Sequence, residues 1–233
     1  MSELSAIALI KMSEVVENKK GTHGGRRLGA GRKRTSKRRG GPHRTRPEVS
    51  PRHPVHVTLR ARHLFPELRR RDYYAAIRKV LEHYLGREEF RVVHGSIQNT
   101  HFHFLVEARN KRAVTLGMQS LTIRLSLALT GGKGKVFEER YHSVEIRTAR
   151  QARNTLAYVL NNWRRHRVWA GDAPVDPYSS GVMFAGWSER LRFTIPDGYV
   201  PLPMSPPKTA LLRSEWKQFG LIDPFERPGP LWS

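Results

Sequence analysis

The sequence predicts an α+β fold of the ferredoxin-like, split βαβ kind. An antiparallel sheet carries helices on one face, with a basic N-terminal arm before it and an irregular C-terminal extension after it. Three observations lead there. Apolar, branched and aromatic residues fill or alternate through short runs at 54–60, 90–97, 101–107 and 136–146, as strands require. They recur at three- and four-residue spacing over 70–85, 111–129 and 148–166, as helices require. The resulting order, β-α-β-β-α-β and then a further helix, is that of the split βαβ unit.

In chain order, residues 1–18 read as a short helix with Leu4, Ile7, Ala8 and Ile10 on one side. Residues 19–52 hold thirteen lysines and arginines and one acid, Glu48. Such a stretch buries too little apolar surface to offset its ordering entropy, so it is expected to be disordered by itself. Within it, Arg26, Arg27, Arg32, Lys33 and Arg34 are interspersed with glycine and alanine. A thin cationic arm of that kind suits a narrow minor groove or a phosphate track. The three expected parts are therefore an arm (1–52), a central domain (53–168) and a partly ordered extension (169–233).

The first strand begins at Pro54, which is tolerated as a strand's first residue, with Val55, Val57 and Leu59 on one face. The first helix carries Tyr73, Ala76, Ile77, Val80, Leu81 and Tyr84 as a stripe and stops at Gly86. Gln98-Asn99-Thr100 is short enough to make the next two strands a hairpin. The second helix lines up Val114, Met118, Leu121, Leu125 and Ala128. Thr130 to Lys135 is glycine-rich and basic, but its spacing is not that of a Walker loop. The run from Val136 to Ile146 reads as a strand broken near Arg140. On the third helix Ala152, Leu156, Val159, Leu160 and Trp163 form the apolar stripe.

Composition limits the partners. The chain has 233 residues, 42 Lys and Arg against 20 Asp and Glu, and a formal net charge of +22. A polyanion, nucleic acid above all, is the expected partner, through phosphate neutralisation and counterion release. There is no cysteine, which excludes disulfides, thiolate-bound zinc and thiol catalysis. No apolar run is long enough for a bilayer, and the N-terminus lacks a signal-peptide pattern. The expectation is a cytoplasmic protein without membrane contact.

The chemistry centres on His101-Phe102-His103-Phe104-Leu105-Val106-Glu107. In a strand, Phe102, Phe104 and Val106 share an apolar face, and His101, His103, Leu105 and Glu107 the other. Two imidazoles at i and i+2 are within reach of one divalent ion. On the third helix Tyr158 and Asn162 stand one turn apart, off the apolar stripe, on a side that also carries Arg165. If that side approaches the histidine face, two imidazoles, an amide oxygen and a phenol come together. Such a set suits phosphodiester chemistry with Mg²⁺ or Mn²⁺, zinc being the second choice. Arg153, Arg164 and Arg165 are expected to track DNA beside it. Glu107 is read as supporting a ligand or as solvated. His56 and the other scattered histidines are read as surface or hydrogen-bonded residues, and Tyr141 as the rival nucleophile.

The His-hydrophobe-His pattern, the element order, and a tyrosine followed four residues later by asparagine on the last helix resemble the HUH single-tyrosine transposases. Residues 53–167, with Tyr158-Val159-Leu160-Asn161-Asn162 and the basic run before the first strand, are similar to the REP-associated tyrosine transposase branch. The resemblance implies an enzyme that cuts and rejoins hairpin-bearing single-stranded DNA at the ends of mobile or repeated elements. It implies His101, His103 and Asn162 as metal ligands. Tyr158 is implied as the nucleophile that takes the 5′ phosphate and leaves a 3′ hydroxyl. A monomer or homodimer in a bacterial cytoplasm, near the nucleoid, is the setting it implies. The chain departs from the branch at Gln98-Asn99-Thr100, where a polar pair with proline is common, and at Asn161-Asn162-Trp163, where Asn-Pro is common.

Two other readings use the same elements. One is a catalytically silent module for single-stranded DNA or RNA, with Phe102 and Phe104 stacking on bases. The other is an HUH nickase of replication or conjugation.

Overall fold

Alternation on the strands and a one-sided stripe on the helices demand a layered packing, and the computed structural model has one. It describes residues 46–137, 140–166, 173–189 and 198–229. The expected helix at 1–18 and the arm residues Arg26, Arg27, Arg32, Lys33 and Arg34 lie outside them.

Strands β1 (Val55–Arg60), β2 (Phe90–Ile97), β3 (His101–Ala108) and β4 (His142–Glu145) form one sheet in the order β2-β3-β1-β4. Each of its pairings is antiparallel. Helices α1 (Arg71–Glu82) and α2 (Lys111–Thr130) share one face, as the split βαβ order requires. Val55, Val57, Leu59, Phe102, Phe104 and Val106 meet Ile77, Leu81, Met118, Leu121 and Leu125 there in one buried core. Phe102 and Phe104 are fully buried in it, their rings 5.6 Å apart and nearly parallel. They offer no platform for a base, which removes the base-stacking module as a reading of these residues.

Local chemistry fixes the helix ends. The Asn110 side chain accepts from the Ala113 amide at 2.9 Å and caps α2. Gly131 closes α2 in the left-handed region, with φ of 61°. Inside α2, Gly117 lets Phe90 lie against the helix, since a Cβ there would sit 2.2 Å from the ring.

Helix α3 (Ala149–His166) lies on the opposite face of the sheet. Val93, Leu105 and Ile146 form a second core with its Ala152, Leu156, Val159 and Leu160. A bulge in β2 between Val92 and His94 contributes to this arrangement. It leaves Val92 in the first core and turns Val93 into the second. The second core is completed by the C-terminal extension. Leu211 and Leu212 of α4 (Ala210–Arg213), Trp216 of a 3₁₀ turn (Glu215–Phe219) and Ile222 are all buried in it. The extension also pairs with the sheet, the Ser205 amide donating to the Val92 carbonyl at 2.8 Å.

The last strand is broken near Arg140, as expected, and its regular part is short. Among the described residues His142–Glu145 pairs regularly with β1, and Phe137 contributes an isolated bridge to Ala61. The Tyr141 carbonyl instead accepts from the Arg46 guanidinium at 2.7 Å, and that guanidinium stacks 3.7 Å above the Tyr141 ring. This contact marks where regular pairing stops.

Candidate active site

Strand β3 turns His101 and His103 away from the phenylalanine core, with their ring centroids 4.7 Å apart and nearly perpendicular. Register then decides their neighbours. Thr58 of β1 stands opposite His103 and Arg60 opposite His101, while His142 of β4 stands opposite Thr58. Residues directly opposite share a face, and alternation adds His56, two residues before Thr58. On β1, β3 and β4 four imidazoles thus occupy one face of the sheet, His56, His101, His103 and His142, and His94 of β2, opposite Leu105, lies on the same face.

His103 is buried, with two polar neighbours at its Nδ1. Nε2 of His56 is 3.2 Å away and Oγ1 of Thr58 is 3.3 Å away. The His56 and His103 rings stack at 5.2 Å with 21° between their planes. His56 is 2% exposed, and burial, with the positive potential of His142 second, pulls its pKa down to about 3. Oγ1 of Thr100 lies 3.2 Å from Nδ1 of His101.

Helix α3 brings Tyr158 onto this face. The half-buried ring is edge-on to His103 at 5.1 Å and to His56 at 5.9 Å. Burial raises the phenol above its ordinary pKa, and the positive charge of Arg165 works against that shift. Tyr158 is therefore a protonated phenol at neutral pH.

Asn162 follows one turn along α3. Its side chain is fully buried, and neither the oxygen nor the nitrogen of its carboxamide has a hydrogen-bond partner among the described residues. An orphaned buried amide costs about 1–3 kcal/mol unless something completes it. Among those residues no three His, Cys, Asp or Glu side chains form a cage for an ion. An ion shared by His101 and His103 would need a further donor of another type, and the carboxamide of Asn162 is a donor of such a type.

The surroundings correct several expectations. Glu107 is neither solvated nor a support for a ligand. It is buried against Arg91 and accepts from the Lys208 amide at 2.9 Å, the Thr209 amide at 2.8 Å and the Thr209 hydroxyl at 2.7 Å. It anchors the extension to the sheet.

Two of the expected DNA-tracking arginines are engaged in the same way. Arg153 makes a bidentate pair with Glu226 at 2.8 and 2.7 Å. Arg164 donates to the carbonyls of Pro224 at 2.7 Å and Pro174 at 2.8 Å. Their donors hold the chain's own backbone and carboxylate, which leaves little for phosphate. Arg165 is exposed and close enough to Tyr158 to act on its pKa. A cleft of about 740 Å³ elsewhere is lined by Arg52, Glu88, Arg109 and Lys208 and contains none of the histidine–tyrosine set.

Sequence reading treated His56 as one of several scattered histidines. The signal was present: His56 and Thr58 alternate with the apolar face of β1, and the split βαβ order makes β1 the neighbour of β3. What sequence could not supply was the register that sets His56 against His103.

No known family model matches the chain, and no curated protein is similar to it at a significant level. Among solved structures it is similar to one described as the REP-associated tyrosine transposase bound to a REP hairpin. The identity is 14%, the match covers 60% of this chain and 82% of that one, and the TM-score is 0.49. A likeness of that degree says nothing of chemistry, which rests on the site's own geometry.

Proposed function

We propose that the chain is a single-tyrosine DNA transesterase of transposase type, which cuts and rejoins single-stranded DNA. The observation that supports this most directly is the phenol of Tyr158 set edge-on against His103, one helical turn from the Asn162 amide, which is unpartnered among the described residues. In this reading His101, His103 and Asn162 hold Mg²⁺ or Mn²⁺, which when bound polarises the scissile phosphate. The Tyr158 oxygen attacks phosphorus and loses its proton to solvent. An Oη–P bond forms, the P–O3′ bond breaks, and the departing 3′ oxygen takes up a proton. The phosphotyrosine retains the phosphodiester energy, so a 3′ hydroxyl can later reverse the step.

A phenol with a raised pKa is a weak nucleophile at neutral pH, so the step needs a stabilised leaving group and a fixed line of attack. The protein contributes that fixing through α3, seated by the second core. Exposed Arg165 and the basic arm would hold the strand by its phosphates. Hairpin-bearing DNA is the substrate class that the sequence resemblance implies.

The test is incubation of the full chain with hairpin-bearing single-stranded DNA and Mn²⁺, followed by denaturing electrophoresis. The wild type should give a covalent protein–DNA band and Tyr158→Phe none. A band retained in Tyr158→Phe moves the nucleophile elsewhere, Tyr141 first.

A further inference from the structure

The His56–His103 contact is unusual because both partners are imidazoles. Nε2 of His56 and Nδ1 of His103 are 3.2 Å apart, the rings are stacked, and both side chains are buried. A neutral imidazole has one N–H and one lone pair, so only one of these two nitrogens can carry the shared hydrogen. The choice matters beyond the pair. If His56 donates, His103 holds its own hydrogen on Nε2, and that nitrogen cannot ligate an ion. If His103 donates from Nδ1, its lone pair lies at Nε2, the nitrogen on the far side of the ring from β1.

We propose that His56 is a positioning residue, which accepts the Nδ1 hydrogen of His103 when the Nε2 lone pair of His103 ligates a divalent ion, and so supports the ligating tautomer. The inference rests on the metal reading above and extends it to a residue on another strand. Ligating histidines commonly donate their second N–H to a carboxylate, a carbonyl or water. Here β1 offers no carboxylate on this face: its residues there are His56, Thr58 and Arg60. Thr58 Oγ1, at 3.3 Å, is the alternative acceptor; hydroxyl and imidazole alike can donate or accept, so the tautomer of His103 is decided when an ion takes its Nε2 lone pair. Among the described residues His56 belongs to no group of three such side chains placed to hold an ion, so the positioning role is the one assigned to it. In that tautomer the hydrogen of His56 sits on Nδ1, which is buried without a hydrogen-bond partner among the described residues. Without an ion, that orphaned donor works against the ligating arrangement. Ion binding at His103 and the direction of the His56–His103 hydrogen bond are therefore coupled.

The experiment measures Mn²⁺ affinity calorimetrically on the full chain, for the wild type, His56→Leu and His56→Gln. Glutamine keeps an acceptor oxygen and leucine does not. The expected result is a loss of affinity of about 10–100-fold in His56→Leu, the usual effect of removing such a partner, with most of it recovered in His56→Gln. Equal affinity in wild type and His56→Leu overturns the inference while leaving the metal site standing. A wild type that binds no Mn²⁺ overturns both. Should His56→Leu fail to fold, the ring-nitrogen NMR shifts of His103 in the zinc-loaded wild type decide. Hydrogen on Nδ1 supports the inference, and hydrogen on Nε2 overturns it.

Discussion

Asn162 separates stability from binding more cleanly than any other side chain in the site. Its amide is buried without a partner among the described residues, so apolar replacement should remove a penalty rather than a bond. Without divalent ion, Asn162→Leu should melt at or above the wild-type temperature. Added Mn²⁺ should raise the wild-type melting temperature and leave the variant unmoved. A variant that is already unstable without ion would mean that the amide has a partner. His94 makes a second prediction at this scale. Burial lowers its pKa to about 4, beside the Ser180 hydroxyl at 3.2 Å and the Phe184 ring. The unfolded chain, with histidine near its ordinary 6.5, then binds more protons than the folded one between those values. The stabilisation is complete above about pH 6.5 and is lost as pH falls towards 4, by on the order of 1–3 kcal/mol. Urea midpoints measured from pH 7 to 4.5 should fall less steeply in His94→Gln; an unchanged slope would clear His94 of the effect. The faces of His101, His103 and Thr58 were legible because strands alternate. The burial of His56, His94 and Asn162 was not, since each is covered by residues far away in the chain.

Elements with an internal period were read to within a few residues: β1, α1, β2, β3, α2 and α3 all begin and end close to where periodicity places them. The shorter β4 and the extension were not. The extension buries single side chains at irregular spacing, Leu202, Leu211, Trp216 and Ile222 among them. A segment that donates one residue at a time to a core made by others carries no period. Gly117 is the converse case, a poor helix former kept in mid-helix for space. Gly117→Ala should gain helix propensity of about 1 kcal/mol. It should nevertheless lower stability by about 1–3 kcal/mol overall, because Phe90 must move. The denaturant midpoint measures the balance, and a stabilised variant would show that Phe90 moves freely.

Charge acts at the scale of the whole chain. An excess of 22 positive charges makes binding to DNA salt-dependent whatever the sequence bound. If the arm tracks phosphates, neutralising Arg26, Arg27, Arg32, Lys33 and Arg34 together should flatten log K against log salt for single-stranded DNA by roughly 3–4, at about 0.7 per contact. An unchanged slope would assign the arm another role. Among the described residues no helix is long and apolar enough to cross a membrane. The same total charge, visible in the sequence, did not reveal which arginines are spent inside the fold. Arg153 and Arg164 looked like a cationic face until their partners, Glu226 and the Pro174 and Pro224 carbonyls, were brought back by the returning chain.

That return has a consequence during synthesis. The helix that carries Tyr158 is clasped by residues translated some sixty positions later, around Asp223 to Glu226. A ribosome that has completed β3 and α3 has therefore made every proposed reacting group, but not yet the clasp that seats one against another. Products cut short by a premature stop or a frameshift would keep the histidines and the tyrosine and lack that seat. Under the proposed chemistry, unfinished chains would be the ones least able to nick the genome that encodes them.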